Sequence, residues 1–361
     1  MILLPILALL CVPALYLVFG RPRFAPRSVP ARDFPRISIV IPARDERENL
    51  AILLPSIAGQ DVLAFEIIVA DDGSTDGTAK IAESHGARVI RCPPPPAGWI
   101  GKSWACQQGA AAATGDFLLF LDADTKLEPS GLGKIAALAN ESEACSLCPF
   151  HRVPRPYEQL SAFFNLTMVC GVNAFGLHPS SSAMFGQSLL VHREAYRKIG
   201  GHALVAGEVL ENFRLAEHFR AGGLRIEALL GAGVVSMRMF PQGLRQLWDS
   251  WKKGASRGAG QSDRRALIFT SVWITGAMLC TTAVVIALLP GASPLFLIST
   301  AGVYLVYAIQ CHLALRNIGS FSPLTSLFFP IPLLFYQTLF FSAVIGAKSK
   351  KKTQWKGRDV D

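Results

Sequence analysis

Two aspartates, Asp122 and Asp124, stand one residue apart at the end of the apolar run FLLFL (117–121). Carboxylates at positions i and i+2 lie on the same side of a strand, and at its end both can reach one cation. Hard oxygen ligands suit Mg²⁺ or Mn²⁺, and such an ion commonly bridges to phosphate oxygens. A lone Asp-x-Asp pair is a weak signal, so the predicted metal site depends on neighbouring motifs.

A second acidic motif, DDGSTDGT (71–78), follows an earlier apolar run. The adjacent carboxylates of Asp71 and Asp72 repel each other unless a ligand uses them. A carboxylate accepts hydrogen bonds from a uracil N3–H or from ribose hydroxyls, which predicts a nucleotide-binding role. The alternative is an ordinary turn in which Ser74 or Thr75 caps the next helix.

A third polar group leaves the run ISIVIPA (37–43). It comprises Pro42, Arg44, Asp45 and Glu46. These side chains could meet a nucleotide base or ribose. The alternative is a helix start with acids in its first turn, which the helix dipole favours.

Alternating strands and helices must position these motifs. Strands are predicted at 37–43, 65–74, 87–92 and 117–124, and helices at 46–56, 75–85 and 103–113. This alternation predicts an α/β fold with a mostly parallel sheet covered on both faces. Ligands of such sheets bind beyond the carboxyl ends of the strands, where all three acidic motifs stand.

Taken together, these motifs resemble the family 2 glycosyltransferases and their Rossmann-like GT-A fold, over about residues 37–260. The resemblance implies that Asp45 and Asp72 contact the nucleoside of a UDP-sugar donor. It also implies that Asp122 and Asp124 hold Mg²⁺ or Mn²⁺ on the diphosphate, and that Asp122 belongs to the donor site. The implied reaction inverts the anomeric carbon by direct displacement.

Such a displacement needs a general base for an acceptor hydroxyl. The segment EVLENFRLAEHFRAGG (208–223) resembles the family's Glu-Asp stretch, but Asn212 replaces the second acid. Glu211 is therefore the predicted catalytic base, with Glu208 in reserve, and a helix-terminal acid is the alternative. The Gln-x-x-Arg-Trp motif of processive synthases is not matched at 246–260, which argues against polymerisation.

Lys102 follows a run of prolines and stands between Gly101 and Ser103. A cation at this point could meet the donor diphosphate or an acceptor carboxylate, and we count Lys102 among the nucleotide-sugar-binding residues. A surface lysine is the alternative.

Four further stretches, 98–110, 149–175, 185–202 and 354–358, resemble the glycosyltransferases of C30 carotenoid acids. That resemblance implies transfer of glucose from UDP-glucose to the carboxylate of a membrane lipid. Hopanoid, polyprenyl phosphate and glycerolipid acceptors stay open, as does a non-catalytic scaffold or transporter. Residues 157–178 are expected to form either an interfacial helix beside the active site or a buried core helix.

The composition predicts a membrane protein, with 51% hydrophobic and 17% charged residues. Apolar runs cover 2–19, 266–289, 294–315 and 324–347, and about 20 residues cross a bilayer. The predicted organisation is an anchor (1–20), a basic linker (21–36), the GT-A domain (37–260), two or three C-terminal membrane helices (266–347) and a basic tail (348–361).

The net charge of +9 is concentrated beside the apolar runs. Such flanks suit anionic lipids and the positive-inside rule rather than nucleic acid, for which aromatic interleaving is missing. We expect a multi-pass protein of the cell (inner) membrane with a cytoplasmic catalytic domain. Three C-terminal crossings would put the basic tail outside, so the proline-containing last run is expected to be irregular.

Overall fold

A computed structural model describes residues 1–29, 34–180, 183–208, 211–258, 263–347, 353–355 and 358–360. Part of the predicted basic linker and most of the predicted basic tail lie outside the described residues. The basic residues concerned are Arg32, Lys348, Lys350, Lys351, Lys352 and Lys356. The chain divides into two compact units. The sheet unit comprises Arg23–Phe150, Ser181–Arg238 and Lys350–Asp361, and the helical unit comprises Met1–Pro22, His151–Ser180 and Met239–Ser349.

The helices, in chain order, are α1 Leu3–Cys11, α2 Pro13–Phe19, α3 Arg47–Ala58, α4 Thr78–Ser84, α5 Gly101–Ala112, α6 Gly131–Leu138, α7 Ala162–Gly171, α8 Arg193–Ile199, α9 Glu211–Ala221, α10 Leu244–Gly258, α11 Arg264–Ala287, α12 Pro294–Ile318, α13 Pro323–Leu327 and α14 Pro330–Ala347. The strands are β1 Ile37–Ala43, β2 Glu66–Asp71, β3 Arg88–Arg91, β4 Phe117–Leu121, β5 Thr125–Leu127, β6 Ala144–Cys148, β7 Phe150–His151, β8 Ser188–His192, β9 Ile226–Leu230, β10 Val235–Met237, β11 Thr353–Trp355 and β12 Arg358–Val360. Two 3₁₀ turns cover Pro156–Ser161 and Gly201–Val205.

The sheet unit is built on seven strands in the order β3-β2-β1-β4-β8-β6-β9. Strands β1, β2, β3 and β4 run parallel, as predicted, with Ile41 of β1 opposite Val69 of β2. Strand β8 is antiparallel to both its neighbours, β4 and β6. The predicted α/β GT-A fold with a mostly parallel sheet is confirmed.

Strand β1 is buried on both faces, because successive side chains point to opposite sides of the sheet. Ile39 and Ile41 belong to one core cluster, with Leu50 and Leu53 of α3. Val40 belongs to the core cluster on the other face, which α5 covers. At Gly109 of α5 an added Cβ would lie 2.4 Å from Cγ1 of Val40, so only glycine lets this helix approach β1 so closely.

The helical unit contains two helices long and apolar enough to cross a membrane among the described residues, α11 and α12. Helices α1 and α2 together form a shorter apolar segment, Leu3–Phe19, which supports the predicted anchor only weakly. The predicted run 324–347 is not one helix but two, α13 and α14, which begin at Pro323 and Pro330.

Helix α7 lies inside the helical unit, and most of its side chains are buried. The Phe163 ring stacks on Trp273 of α11 at 5.7 Å between centroids. The Phe164 ring stacks on Trp251 of α10 at 4.8 Å. Of the two interpretations of 157–178, this packing favours the buried core helix.

Candidate active site

A cleft with a cavity volume of about 360 Å³ opens at the carboxyl ends of β1, β2 and β4. Eight of the ten residues predicted to act in binding or catalysis line it. They are Pro42, Arg44, Glu46, Asp72, Lys102, Asp122, Asp124 and Glu211. The parallel arrangement of the strands explains six of the eight, because β1, β2 and β4 end at the same edge of the sheet. Lys102 and Glu211 reach the cleft from the first turns of α5 and α9.

Asp45 and Asp71 do not belong to the residues that line the cleft. The Asp71 carboxylate accepts the backbone N–H of Ser74 at 2.9 Å. The Asp45 carboxylate accepts the backbone N–H of Thr75 at 2.8 Å, and Asp45 itself has a left-handed φ of +52°. Both carboxylates therefore satisfy backbone donors of the turn after β2. Neither Ser74 nor Thr75 caps the next helix, whose N-cap is Gly77 with no side-chain cap hydrogen bond.

Asp72 is the member of the second motif that faces the cleft, and it is 3% exposed. Its backbone N–H donates to the carbonyl of Ala43 at 2.9 Å, which ties the ends of β1 and β2 together. The Arg44 guanidinium lies 3.4 Å from Oδ2 of Asp72 and balances its charge.

Lys102 joins two carboxylates that come from different elements. Its ammonium nitrogen lies 2.9 Å from Oδ1 of Asp122 and 2.9 Å from Oε1 of Glu211. Burial alone would lower the pKa of Lys102, but the charges of Asp122 and Glu211 raise it well above its usual value. The lysine is therefore protonated, and its side chain is only 25% exposed, which is not the geometry of a surface lysine.

Glu211 is the first residue of α9 and is 8% exposed. Burial raises the pKa of its carboxyl, but the charge and hydrogen bond of Lys102 outweigh burial, so that the pKa lies below its usual value. Glu211 is therefore ionised at neutral pH. Its neighbour Asn212 also lines the cleft and donates from Nδ2 to the carbonyl of Met184 at 3.2 Å.

Asp122 and Asp124 follow β4, and both side chains line the cleft. Burial and the nearby charges of Asp122 and Glu46 raise the pKa of Asp124 to about 7. Such a crowded set of carboxylates fits a divalent cation, which would relieve the repulsion. Within the described ranges no group of three or more His, Cys, Asp or Glu residues could hold a metal ion.

The sequence motifs did not reveal the part of the cleft that β8 contributes. Gly186 and Gln187, just before this strand, line the cleft, and the backbone carbonyl of Gln187 accepts the N–H of Asp122 at 3.0 Å. The apolar run SLLV (188–191) is a strand signal in the sequence, but its pairing beside β4 is long-range.

A GT-A fold with acidic strand ends that converge on one cleft is typical of glycosyltransferases. The sequence model of the family "Glycosyl transferase family 2" matches residues 38–200. The chain is 31% identical over 330 residues to the 4,4'-diaponeurosporenoate glycosyltransferase of Staphylococcus aureus strain USA300, covering 89% of this chain and 87% of that protein. For the same enzyme of strain MRSA252 the identity is 32% over 330 residues. The chain belongs to glycosyltransferase family 2 and is a glycosyltransferase.

The solved structure of the mannosyltransferase PcManGT from Pyrobaculum calidifontis, in complex with GDP-Man and Mn²⁺, shares the fold. It matches with a TM-score of 0.53 and 17% sequence identity, over 97% of this chain and all of that chain. At this identity the likeness supports the GT-A fold.

Proposed function

We propose that this glycosyltransferase transfers glucose from UDP-glucose, with inversion, to the carboxylate of a C30 carotenoid acid in the membrane. The observation that carries the proposal is the convergence of Asp72, Asp122 and Asp124 on one cleft together with the Lys102–Glu211 pair. The proposed acceptor is taken from the name of the staphylococcal relatives. The alignment with them covers 89% of this chain.

The donor nucleoside lies, in this proposal, beside Asp72 and Arg44, with Pro42 and Glu46 lining the same end of the cleft. Asp72 accepts hydrogen bonds from the base or ribose, while the Arg44 guanidinium pairs with its carboxylate. Asp45 contributes by holding the turn after β2 in place.

The diphosphate lies over Asp122, Asp124 and Lys102. Asp122 and Asp124 are the residues that would hold Mg²⁺ or Mn²⁺, which supplies charge stabilisation for the departing diphosphate. Lys102 adds a fixed positive charge on the same side of the cleft. The attraction between its ammonium and the leaving diphosphate increases as negative charge builds on the diphosphate.

The acceptor oxygen forms a bond to the anomeric carbon while the bond from that carbon to the diphosphate oxygen breaks, and the electron pair leaves with UDP. A hydroxyl acceptor would give its proton to Glu211. A carboxylate acceptor is already ionised at neutral pH and needs no base. The replacement of the family's second acid by Asn212 is consistent with a carboxylate acceptor.

In this proposal the catalytic cleft is cytoplasmic. Helix α11 begins with Arg264 and Arg265, and α12 carries Arg316 in its last turn. If both helices cross, these basic ends lie on one side, together with the chain that precedes α11, and the positive-inside rule makes that side cytoplasmic. Helix α12 also exposes large apolar side chains, for example Ile298 at 72% and Ile309 at 57%. Two crossings return the basic tail to the cytoplasm, which removes the conflict that three would create.

The test is sugar transfer by the full-length chain in membranes of a host that makes the carotenoid acid. With radiolabelled UDP-glucose and Mn²⁺ we expect a glucosyl ester in the lipid extract, and none with EDTA. A labelled hopanoid, polyprenyl phosphate or glycerolipid would contradict the proposed acceptor. The absence of UDP release with every lipid extract would contradict catalysis and leave a scaffold.

A further inference from the structure

His202 is a buried residue beside the cleft that the proposed reaction does not use, with 4% of its surface exposed. It stands in the 3₁₀ turn Gly201–Val205, which packs against both α5 and α9. Helix α5 carries Lys102, and α9 begins with Glu211. The turn therefore lies between the two helices whose side chains form the central ion pair.

Tyr196 of α8 fixes the His202 ring. Its hydroxyl oxygen lies 2.8 Å from Nδ1 of His202 and accepts the backbone N–H of the same histidine at 3.0 Å. The hydroxyl also lies 3.3 Å from Oε1 of Gln107 on α5. Because the hydroxyl donates its one proton to Gln107, the ring proton of His202 is assigned to Nδ1, which donates to the hydroxyl oxygen.

Two glycines before His202 allow this contact between Tyr196 and His202. Gly200 and Gly201 have left-handed φ values of +105° and +58°, which glycine adopts without strain. A Cβ added at Gly201 would lie 2.4 Å from the Tyr196 ring. Only glycine at this position lets the tyrosine reach the histidine backbone.

The His202 ring faces a small cavity of about 10 Å³ that Lys102 and Glu211 also line, close to the room that one water needs. Burial lowers the pKa of His202 to about 4, so the ring is neutral at physiological pH. A backbone hydrogen bond also joins the end of this turn to the start of α5. The N–H of Ile100, just before α5, donates to the carbonyl of Ala206, just after the turn, at 2.7 Å.

We propose that His202 is a positioning residue for the Lys102–Glu211 pair. The Gln107–Tyr196–His202 chain holds the turn between α5 and α9 and thereby sets the distance between the ammonium and the carboxylate. This inference rests on the proposed function insofar as Lys102 binds the donor diphosphate.

The test measures UDP binding to the full-length protein by calorimetry with Mn²⁺, so it does not depend on an acceptor. His202→Phe keeps a ring but removes both nitrogens, and Tyr196→Phe removes the hydroxyl. We expect each to weaken UDP binding by about tenfold. His202→Gln, which keeps a polar side chain that can donate, should recover most of the affinity. His218→Gln on the exposed side of α9 is the matched control and should leave binding unchanged.

A double-mutant cycle separates positioning from general packing. If His202 acts through the ion pair, His202→Phe should weaken UDP binding much less in a Lys102→Met background than in the wild type. An equal loss in both backgrounds would overturn the proposal, as would unchanged UDP binding by His202→Phe.

A readout that needs no nucleotide keeps the inference distinct from the proposed function. In a crystal structure of the His202→Phe variant, the Lys102 ammonium and the Glu211 carboxylate should lie farther apart than the 2.9 Å that separates them in the wild type. An unchanged distance would overturn the inference. Failure of wild-type protein to bind UDP would contradict the proposed function, while the crystal structure would still decide the role of His202.

Discussion

The ammonium of Lys102 and the carboxylate of Glu211 are in contact at 2.9 Å, although Lys102 lies in the first turn of α5, after β3, and Glu211 begins α9, the second helix after β8. The same ammonium balances Asp122. One cation thus compensates two half-buried or buried carboxylates, which would otherwise repel each other in a medium of low dielectric constant.

Replacing Lys102 by methionine should weaken UDP binding. A hydrogen bond to a charged group contributes about 1.5–3 kcal/mol, which corresponds to roughly ten- to a hundredfold in affinity. Calorimetric titration with UDP and Mn²⁺ measures the change. Lys126→Met, on the exposed side of β5, is the control, and equal affinities of the two variants would contradict a role in donor binding.

Replacing both Asp122 and Asp124 by alanine should abolish sugar transfer. The loss of their charges removes the oxygen ligands proposed for the divalent cation, and a missing electrostatic partner of the transition state commonly costs about 10²–10³-fold in rate. UDP release with Mn²⁺, with and without EDTA, measures the effect. Full turnover by the double variant would end the proposal of a metal site here.

Replacing Glu211 by glutamine discriminates between acceptor classes. Gln keeps a hydrogen bond to Lys102 but cannot take a proton, so transfer to a carboxylate should change by less than about tenfold, whereas loss of a general base typically costs about 10²–10⁴-fold. The rate of ester formation is the readout, with Glu217→Gln, whose side chain is 52% exposed, as control. A loss of several orders of magnitude would favour a hydroxyl acceptor.

Replacing Asn212 by aspartate restores the acid pair of other family members. The new charge should repel a carboxylate acceptor and raise its KM, while the KM of the donor changes little. The substitution also removes the donor to the Met184 carbonyl, so thermal unfolding should accompany the kinetics. A lowered acceptor KM would argue that the acceptor is not an anion.

Glu66 should make the sheet unit sensitive to acid. Burial raises the pKa of its carboxyl, but hydrogen bonds from Thr114 and Ser38 outweigh burial and hold the pKa below its usual value. The folded state therefore binds this proton less tightly than the unfolded state. The stability that Glu66 contributes is present above its ordinary pKa and is lost as the pH falls through the folded value.

The measurement is thermal unfolding of Glu66→Gln and wild type between neutral and acid pH. We expect a lower Tm for the variant at neutral pH and a difference that shrinks towards acid pH. Glu83→Gln, with a side chain 56% exposed, is the control. A difference that does not vary with pH would contradict the prediction.

The sequence by itself determined the parallel half of the sheet and the residues that converge at its edge. The run FLLFL is apolar throughout and ISIVIPA is apolar apart from Ser38, which is the pattern typical of strands buried on both faces, so β1 and β4 and the acids after them were predictable. The family resemblance was likewise readable from local motifs, because their residues are close together in the chain.

The tertiary structure alone decided which acids face the cleft and which serve the turn. Asp71 and Asp72 are adjacent and chemically identical. The Asp71 carboxylate nevertheless accepts a backbone N–H of the turn, whereas the Asp72 carboxylate pairs with Arg44. The sequence also did not reveal three other features: the pairing of Lys102 with Glu211, the antiparallel insertion of β8 and the position of His202. These features depend on contacts between residues distant in sequence, and local propensity and periodicity carry no information about such contacts.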